Sequence, residues 1–321
     1  MGTSITDVAG IRIGHAQRTD EGWLTGVTVV LPPQGTVGSV DVRGGGPATH
    51  ETDALDPTAL VPTVDAVALC GGSAYGLSAA HGVQRWCEEQ GRGFAVAGGV
   101  VPIVPAAAIF DIGRGGQFGN RPDTGMGYSA ALAAAAEQDR HDVGRGNVGA
   151  GTGAVIGMGQ YKGGAGTASV ELDGENSGLV VGAIVIVNAF GTPTVADQGA
   201  PRRAETRRAE TRRAETPRNT TLAVVATNAD LDPAQCKRTA IAAQAGIARA
   251  LNPSHTMADG DTIFALSTRA RTLAGEGAGV VQSMIQLQSA AATAIELAVA
   301  DGVEQAAAVR NPTVDLPRWG T

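Results

Sequence analysis

Arg218-Asn219-Thr220-Thr221-Leu222-Ala223-Val224-Val225-Ala226-Thr227-Asn228 divides the chain into two unlike parts. Upstream lies a charged, repetitive segment ending in Pro217; downstream an apolar run begins at once, with two hydroxyl residues at the junction. A cut ahead of Thr220 would leave a threonine at the head of a buried strand. Such a residue carries its own base, because a free α-amino group titrates at about 7.7–8.0 in model peptides. Hydroxyl and amine on one residue make a self-contained nucleophile and base. Taken alone, the junction reads more simply as a loop leading into a strand, with Thr220 and Thr221 as ordinary β-formers.

The surrounding composition narrows the class. The chain has 321 residues, of which 43% are hydrophobic, so a sizeable core can form; we read 1–321 as one domain. There are 46 glycines and only 3% aromatic residues, which predicts thin, closely spaced layers and many glycine turns. No apolar run reaches 18 residues, which argues against a membrane helix. No basic stretch followed by an apolar core opens the chain, so no secretory signal is visible. Cys70, Cys87 and Cys236 are odd in number and lack metal-ligand spacing, which suits free thiols in a cytoplasmic protein. The formal net charge of −7 points away from nucleic acid. The five histidines are scattered with no pair at i, i+4, so no zinc site is expected.

The periodicities predict an α/β protein. Ile11–His15 and Gly26–Leu31 read as a strand pair closed by Pro32-Pro33, and Thr36–Arg43 as a third strand running into Gly44-Gly45-Gly46-Pro47. Val64–Cys70 reads as a buried strand, Gly71–Gly76 as a turn and Leu77–Glu89 as a helix. That unit lacks the Lys-Ser/Thr of a phosphate-binding loop, and no cofactor is expected. The proline-bearing stretch 98–111 reads as an extended edge segment and short strand, 112–127 as a polar loop, and Ser129–Gln138 as a helix. Leu179–Asn188 is the strongest strand, and its terminal Asn188 can turn an amide into a cleft. Asp232 and Pro233 read as the N-cap and first residue of a helix reaching about Leu251, and 279–300 as a long helix of small residues.

Three features carry candidate chemistry. Lys162 stands in the glycine loop Tyr161-Lys162-Gly163-Gly164, where a lone lysine ordinarily is a solvated charge. Asp259 and Asp261 flank Gly260 ahead of the strand Thr262–Leu266 and could orient a nucleophile or tune an amine; solvated turn acids fit as well. Arg202-Arg203-Ala204-Glu205-Thr206 is repeated three times in tandem with no apolar face, so 202–217 reads as an exposed flexible linker.

Several stretches together resemble a family. They are Asp41-Val42-Arg43-Gly44-Gly45, Gly71-Gly72-Ser73-Ala74-Tyr75-Gly76-Leu77, Val101–Pro105 with Phe110-Asp111, Gly149–Gly153, Lys162-Gly163-Gly164, Asn188, Asn219-Thr220-Thr221 and Asp259–Phe264. In this order, over nearly the whole chain, they resemble the DmpA-type aminopeptidases and the nylon-oligomer (6-aminohexanoate-oligomer) endohydrolases, which are self-cleaving N-terminal-nucleophile hydrolases. The resemblance implies a four-layer α/β/β/α sandwich. It implies a cut between Asn219 and Thr220 into an α chain, 1–219, and a β chain, 220–321. Thr220 would be the nucleophile, Asp259 and Asp261 would hold its amine and hydroxyl, Asn188 would donate to the oxyanion, and Lys162 would lower the hydroxyl pKa or steady negative charge. Substrates would be short peptides or ω-amino-acid oligomers, and the assembly a homotetramer. The chain departs from many aminopeptidase members in its Thr220 and in Asp259 and Asp261, where those have Ser and a Ser/Glu pair. An acyltransferase of ornithine-acetyltransferase type shares the self-cleaving threonine logic and is the alternative.

Overall fold

The computed structural model describes residues 3–194 and 219–320; the repeat segment 202–217, read above as a linker, lies outside them. Ten strands build two sheets: β1 (Arg12–Arg18), β2 (Thr25–Leu31), β3 (Val37–Val42), β4 (Thr49–His50), β5 (Val67–Cys70), β6 (Ala106–Ala108), β7 (Gly164–Glu171), β8 (Val180–Asn188), β9 (Thr220–Ala229) and β10 (Thr262–Arg271). The first sheet runs β1-β2-β5-β6-β4 and the second β7-β8-β9-β10-β3. Each is mixed: β5 pairs parallel with β6 and β9 parallel with β10, while the other neighbours are antiparallel. Four helices cover them: α1 (Ala79–Glu89), α2 (Thr124–Ala136), α3 (Pro233–Ala250) and α4 (Ala278–Glu304).

The layering follows from the two-residue period of a strand. Val27, Val29 and Leu31 of β2 turn outward against Val83 and Trp86 of α1 and Ala130 and Ala134 of α2. Val30, Val67 and Leu69 turn the other way and meet Ile184, Ile186, Leu222, Val224 and Phe264 of the second sheet. Ala183, Val185, Ala223 and Val225 occupy the opposite face of that second sheet and pack on Cys236 and Ile247 of α3 and Leu287 and Ile295 of α4. Central strands are therefore buried on both faces, which is why their sequences are continuous apolar runs. The order is helices, sheet, sheet, helices, as the family resemblance implies. No helix among the described residues is long and apolar enough to cross a membrane.

Three expectations need adjusting. The α2 helix begins at Thr124 rather than 129, capped by the Asp123 side chain, which accepts from Met126 N at 2.8 Å. Its glycines, which suggested a loop, are contact points: a Cβ on Gly127 would lie 1.9 Å from the Ala79 carbonyl, so the missing side chain lets α1 and α2 cross closely. The segment 98–111 splits, with Gly99–Val101 in a separate hairpin with Phe94–Val96, while β6 is interior, between β5 and β4. The tail 310–321, which reads as loop in the sequence, takes part in a short pairing of Val309–Arg310 with Asp315–Leu316.

The Asp232 cap is present as read. Its carboxylate accepts from Gln235 N at 2.7 Å, and the Gln235 side chain returns to Asp232 N at 3.0 Å, forming a capping box. Asp232→Ala should cost about 1 kcal/mol, as N-cap removal typically does; chemical denaturation should show a lower midpoint with an unchanged slope.

Candidate active site

Thr220 is the first residue of β9 and pairs in register with Asn188, the last residue of the antiparallel β8. Both share the strand parity of Leu222 and Ile186, so both side chains face the space between the sheets. On the other flank, Asn219 bridges Asp259 in parallel, extending the β9–β10 pairing by one rung beyond the strands. Asn219 N donates to Ala258 O at 2.8 Å, and Gly260 N donates to Asn219 O at 3.0 Å. The Thr220 hydroxyl lies against the Asn219 carbonyl. Asn188, Asn219, Thr220, Asp259 and Asp261 are all buried.

Each aspartate is fixed by several donors. Asp259 accepts from Thr256 N at 2.9 Å, Thr256 Oγ1 at 2.6 Å and Phe190 N at 3.1 Å. Burial, and then the neighbouring Asp261 charge, push the Asp259 carboxyl above its ordinary pKa. Asp261 accepts from Thr221 N at 2.7 Å and, on its other oxygen, from His255 N at 3.0 Å and from the His255 ring Nδ1 at 2.8 Å. Burial would lower the imidazole pKa, but the hydrogen bond and charge of Asp261 outweigh it and the net shift is upward. The two carboxylates accept from backbone amides at Thr221 and Phe190 and make no hydrogen bond to the Thr220 hydroxyl.

Asn188 Oδ1 accepts from Arg114 Nη1 at 2.8 Å and from Val155 N at 3.0 Å. Those two donors assign the amide orientation, and Asn188 Nδ2 is left buried with no partner among the described residues. Arg114 also donates to Gly153 O. Burial, partly offset by Asp111, brings its guanidinium down to about 10. Burial also raises the Asp111 carboxyl, although Gly72 N donates to it at 2.6 Å. Lys162, whose loop suggested a solvated charge, is fully buried. Its Nζ donates to Gly151 O at 2.8 Å and Gly163 O at 2.6 Å, with no hydrogen bond to Thr220. Burial, then the Arg114 charge, push Lys162 down to about 7 against an opposing pull from Asp111.

A cleft of about 170 Å³ opens onto Thr220, lined by Ala48, Ser73, Ala108, Phe110 and Asn219 among others. A larger cavity, about 370 Å³, lies under Trp319 on the α4 side and touches none of these groups. The cysteines are buried, and burial pushes each thiol up to about 12, which removes them as nucleophiles near neutrality.

Residues 3–314 match the sequence model of Peptidase family S58. The chain belongs to peptidase family S58. An uncharacterised aminopeptidase of Mycobacterium tuberculosis is 46% identical over 98% of this chain and 96% of its own length. A 6-aminohexanoate-oligomer endohydrolase of Paenarthrobacter ureafaciens is 30% identical over 82% of this chain and 74% of that protein. Among solved structures, the L-aminopeptidase D-Ala-esterase/amidase of Ochrobactrum anthropi, described as a variant of the Ntn-hydrolase fold, superposes with a TM-score of 0.71 at 21% identity, covering 99% of this chain and 91% of that one. The fold is thus the Ntn-hydrolase-like arrangement of S58, and the chain is a peptidase-family enzyme of the aminopeptidase and amidohydrolase kind.

Of the residues that sequence singled out, the S58 fold brings Thr220, Asn188, Asp259 and Asp261 around one bond and buries Lys162 against the Gly151 and Gly163 carbonyls. Sequence reading missed Arg114, His255 and the Gly260 amide. Arg114 is one of two arginines in a glycine-rich loop, His255 lies six residues before Asp261, and a backbone N–H carries no sequence signal at all. Lys162 gives a measurable consequence. Its folded pKa, about 7, lies below the unfolded value of 10.5, so between these the unfolded state binds the extra proton. Stability therefore rises with pH across that window, by up to about 1.4 kcal/mol per pH unit from this group. Lys162→Met should remove that contribution, visible as a flatter denaturation-versus-pH curve than that of the wild type.

Proposed function

We propose that the chain cuts its own backbone between Asn219 and Thr220, giving 1–219 and 220–321, and that the freed Thr220 then hydrolyses amides of short peptides or ω-amino-acid oligomers through an acyl-enzyme. The observation that carries this reading is the convergence at one junction. The Thr220 hydroxyl lies on the carbonyl that precedes it, an unpartnered Asn188 donor is one rung away, and two braced carboxylates stand on the far side. Membership of S58 supports the amide class of substrate, and the endohydrolase relative supports including ω-amino oligomers.

In the first step Thr220 Oγ1 adds to the Asn219 carbonyl carbon. The C–N bond breaks, the hydroxyl proton ends on the Thr220 nitrogen, and an ester remains. Water hydrolyses the ester, leaving a carboxylate on Asn219 and restoring the hydroxyl. The released α-amine has the basicity to take the hydroxyl proton when an external amide is attacked, and returns it to the leaving amine. Water then frees the acyl group. Asn188 Nδ2 supplies an oxyanion donor for the external substrate, Asp259 and Asp261 hold the new terminus, and Lys162, in its protonated form, favours the developing anion.

Thr220→Ala should give a single polypeptide of about 32.2 kDa with no amidase activity, and Thr220→Ser should still divide. Intact mass and a panel of aminoacyl anilides and 6-aminohexanoate oligomers decide it; two fragments from the alanine variant would overturn the assignment.

A further inference from the structure

The junction carbonyl already has a hydrogen-bond donor, and it is not Asn188. Gly260 N donates to Asn219 O at 3.0 Å. Asn188 Nδ2 has no partner among the described residues, the Asn219 carbonyl included. We propose that the two donors divide the work: the backbone N–H of Gly260 holds the oxyanion of self-cleavage, and the Asn188 amide serves the acyl transfer of external substrates. The proposal rests on the self-cleavage reading above and goes beyond it in separating the two reactions.

The geometry gives each donor its own target. The Asn219 carbonyl is held towards β10 by the bridge to Asp259, with Asn219 N on Ala258 O fixing the residue from its other side. When Thr220 Oγ1 adds to that carbon, the oxygen that gains charge is the one already bound to Gly260 N. An N–H in place before reaction needs no reorganisation as the charge develops, which is the condition under which such donors are most effective. Asn188 approaches Thr220 across the opposite, antiparallel edge of β9. Arg114 and Val155 N occupy its oxygen, so its NH₂, which has no partner among the described residues, is left for a second carbonyl.

A second observation ties Gly260 to the nucleophile. A Cβ at Gly260 would stand 2.7 Å from Thr220 Oγ1 and 2.7 Å from the Gly46 carbonyl oxygen, and 3.0 Å from Pro47 Cα. Residue 260 must lack a side chain for the hydroxyl and the donating amide to share the space beside the junction.

The test separates cutting from turnover. Asn188→Ala and a chain carrying an ester in place of the Asp259–Gly260 peptide bond are made by cell-free synthesis, the latter by inserting glycolic acid at position 260, which exchanges only the N–H for oxygen. Cutting is followed by denaturing gel in a pulse-chase, and turnover with an aminoacyl anilide. Asn188→Ala should divide at close to the wild-type rate while its turnover falls about 10²–10³-fold, the usual loss for one oxyanion donor. The ester chain should divide about 10²–10³-fold more slowly. An Asn188→Ala protein that melts cooperatively yet stays whole overturns the division, as does an ester chain that divides at the wild-type rate. A wild-type chain that never divides sinks the self-cleavage reading itself, a result distinct from either of these.

Discussion

The parallel pairing of β9 with β10 is the constraint on which the site depends. Leu222 pairs with Thr262, and the register runs in step to Thr227 and Ser267. Parallel neighbours begin at the same edge of a sheet, so the chain must return before β10 can start, and α3 is that return. The residue entering β9 and the turn entering β10 therefore meet, Asn219 against Asp259. Because β8 runs antiparallel to β9, its last residue arrives at the same edge, and Asn188 faces Thr220. One reversal of direction in the sheet gathers groups from residue 188, from 219–221 at the start of β9 and from the turn 259–261 that leads into β10.

The site is costly to build. Lys162, Arg114 and Asp111 are placed where water cannot solvate them fully, and burial is the largest influence on the pKa of each. Two carbonyls satisfy the lysine, and Arg114 is divided between Gly153 and Asn188. That division has a consequence for Asn188. Were its amide turned over, Nδ2 would face Arg114 Nη1 and Val155 N, donor against donor. The protein therefore enforces a free donor by occupying the acceptor, and the buried guanidinium is what makes the alternative orientation unfavourable.

Legibility in the sequence followed the range of each interaction. Strands such as Val180–Asn188 and the core of β9 were readable because burial on both faces writes a continuous apolar run. The Asp232 cap was readable because its partner is three residues away. Thr220, Asn188 and the Asp259–Asp261 pair were legible as chemistry in isolation and as a set through family resemblance; nothing local placed 188 beside 220. Lys162 misled because glycine neighbours suggest solvent, whereas here they let other backbone come close: a Cβ on Gly163 would stand 2.0 Å from the Val187 carbonyl oxygen. The start of α2 was obscured for the same reason, its glycines serving contact with α1. In a chain with 46 glycines, that residue marks close packing as often as turns.

The turn Asp259-Gly260-Asp261 shows how little sequence such a site requires. Its two carboxylates look away from the Thr220 hydroxyl, Asp259 to Thr256 and Phe190 N, Asp261 to His255 and Thr221 N. Between them the backbone of Gly260 looks at the junction. The side chains hold the rails on either side of the bond, and the peptide unit between them meets the bond itself. The proposed cut would change which of these groups faces a charge. In this structure Thr221 N and the Asn219 carbonyl are polar groups beside the junction; after the proposed cut a new ammonium would stand beside two carboxylates that are already buried and hydrogen-bonded. Burial, and then the Asp261 charge, hold the Asp259 carboxyl above its ordinary pKa in this structure, and the proposed cut would give it a cationic neighbour. The arrangement that raises Asp259 here is thus the one that would hold a new terminus after the proposed cut.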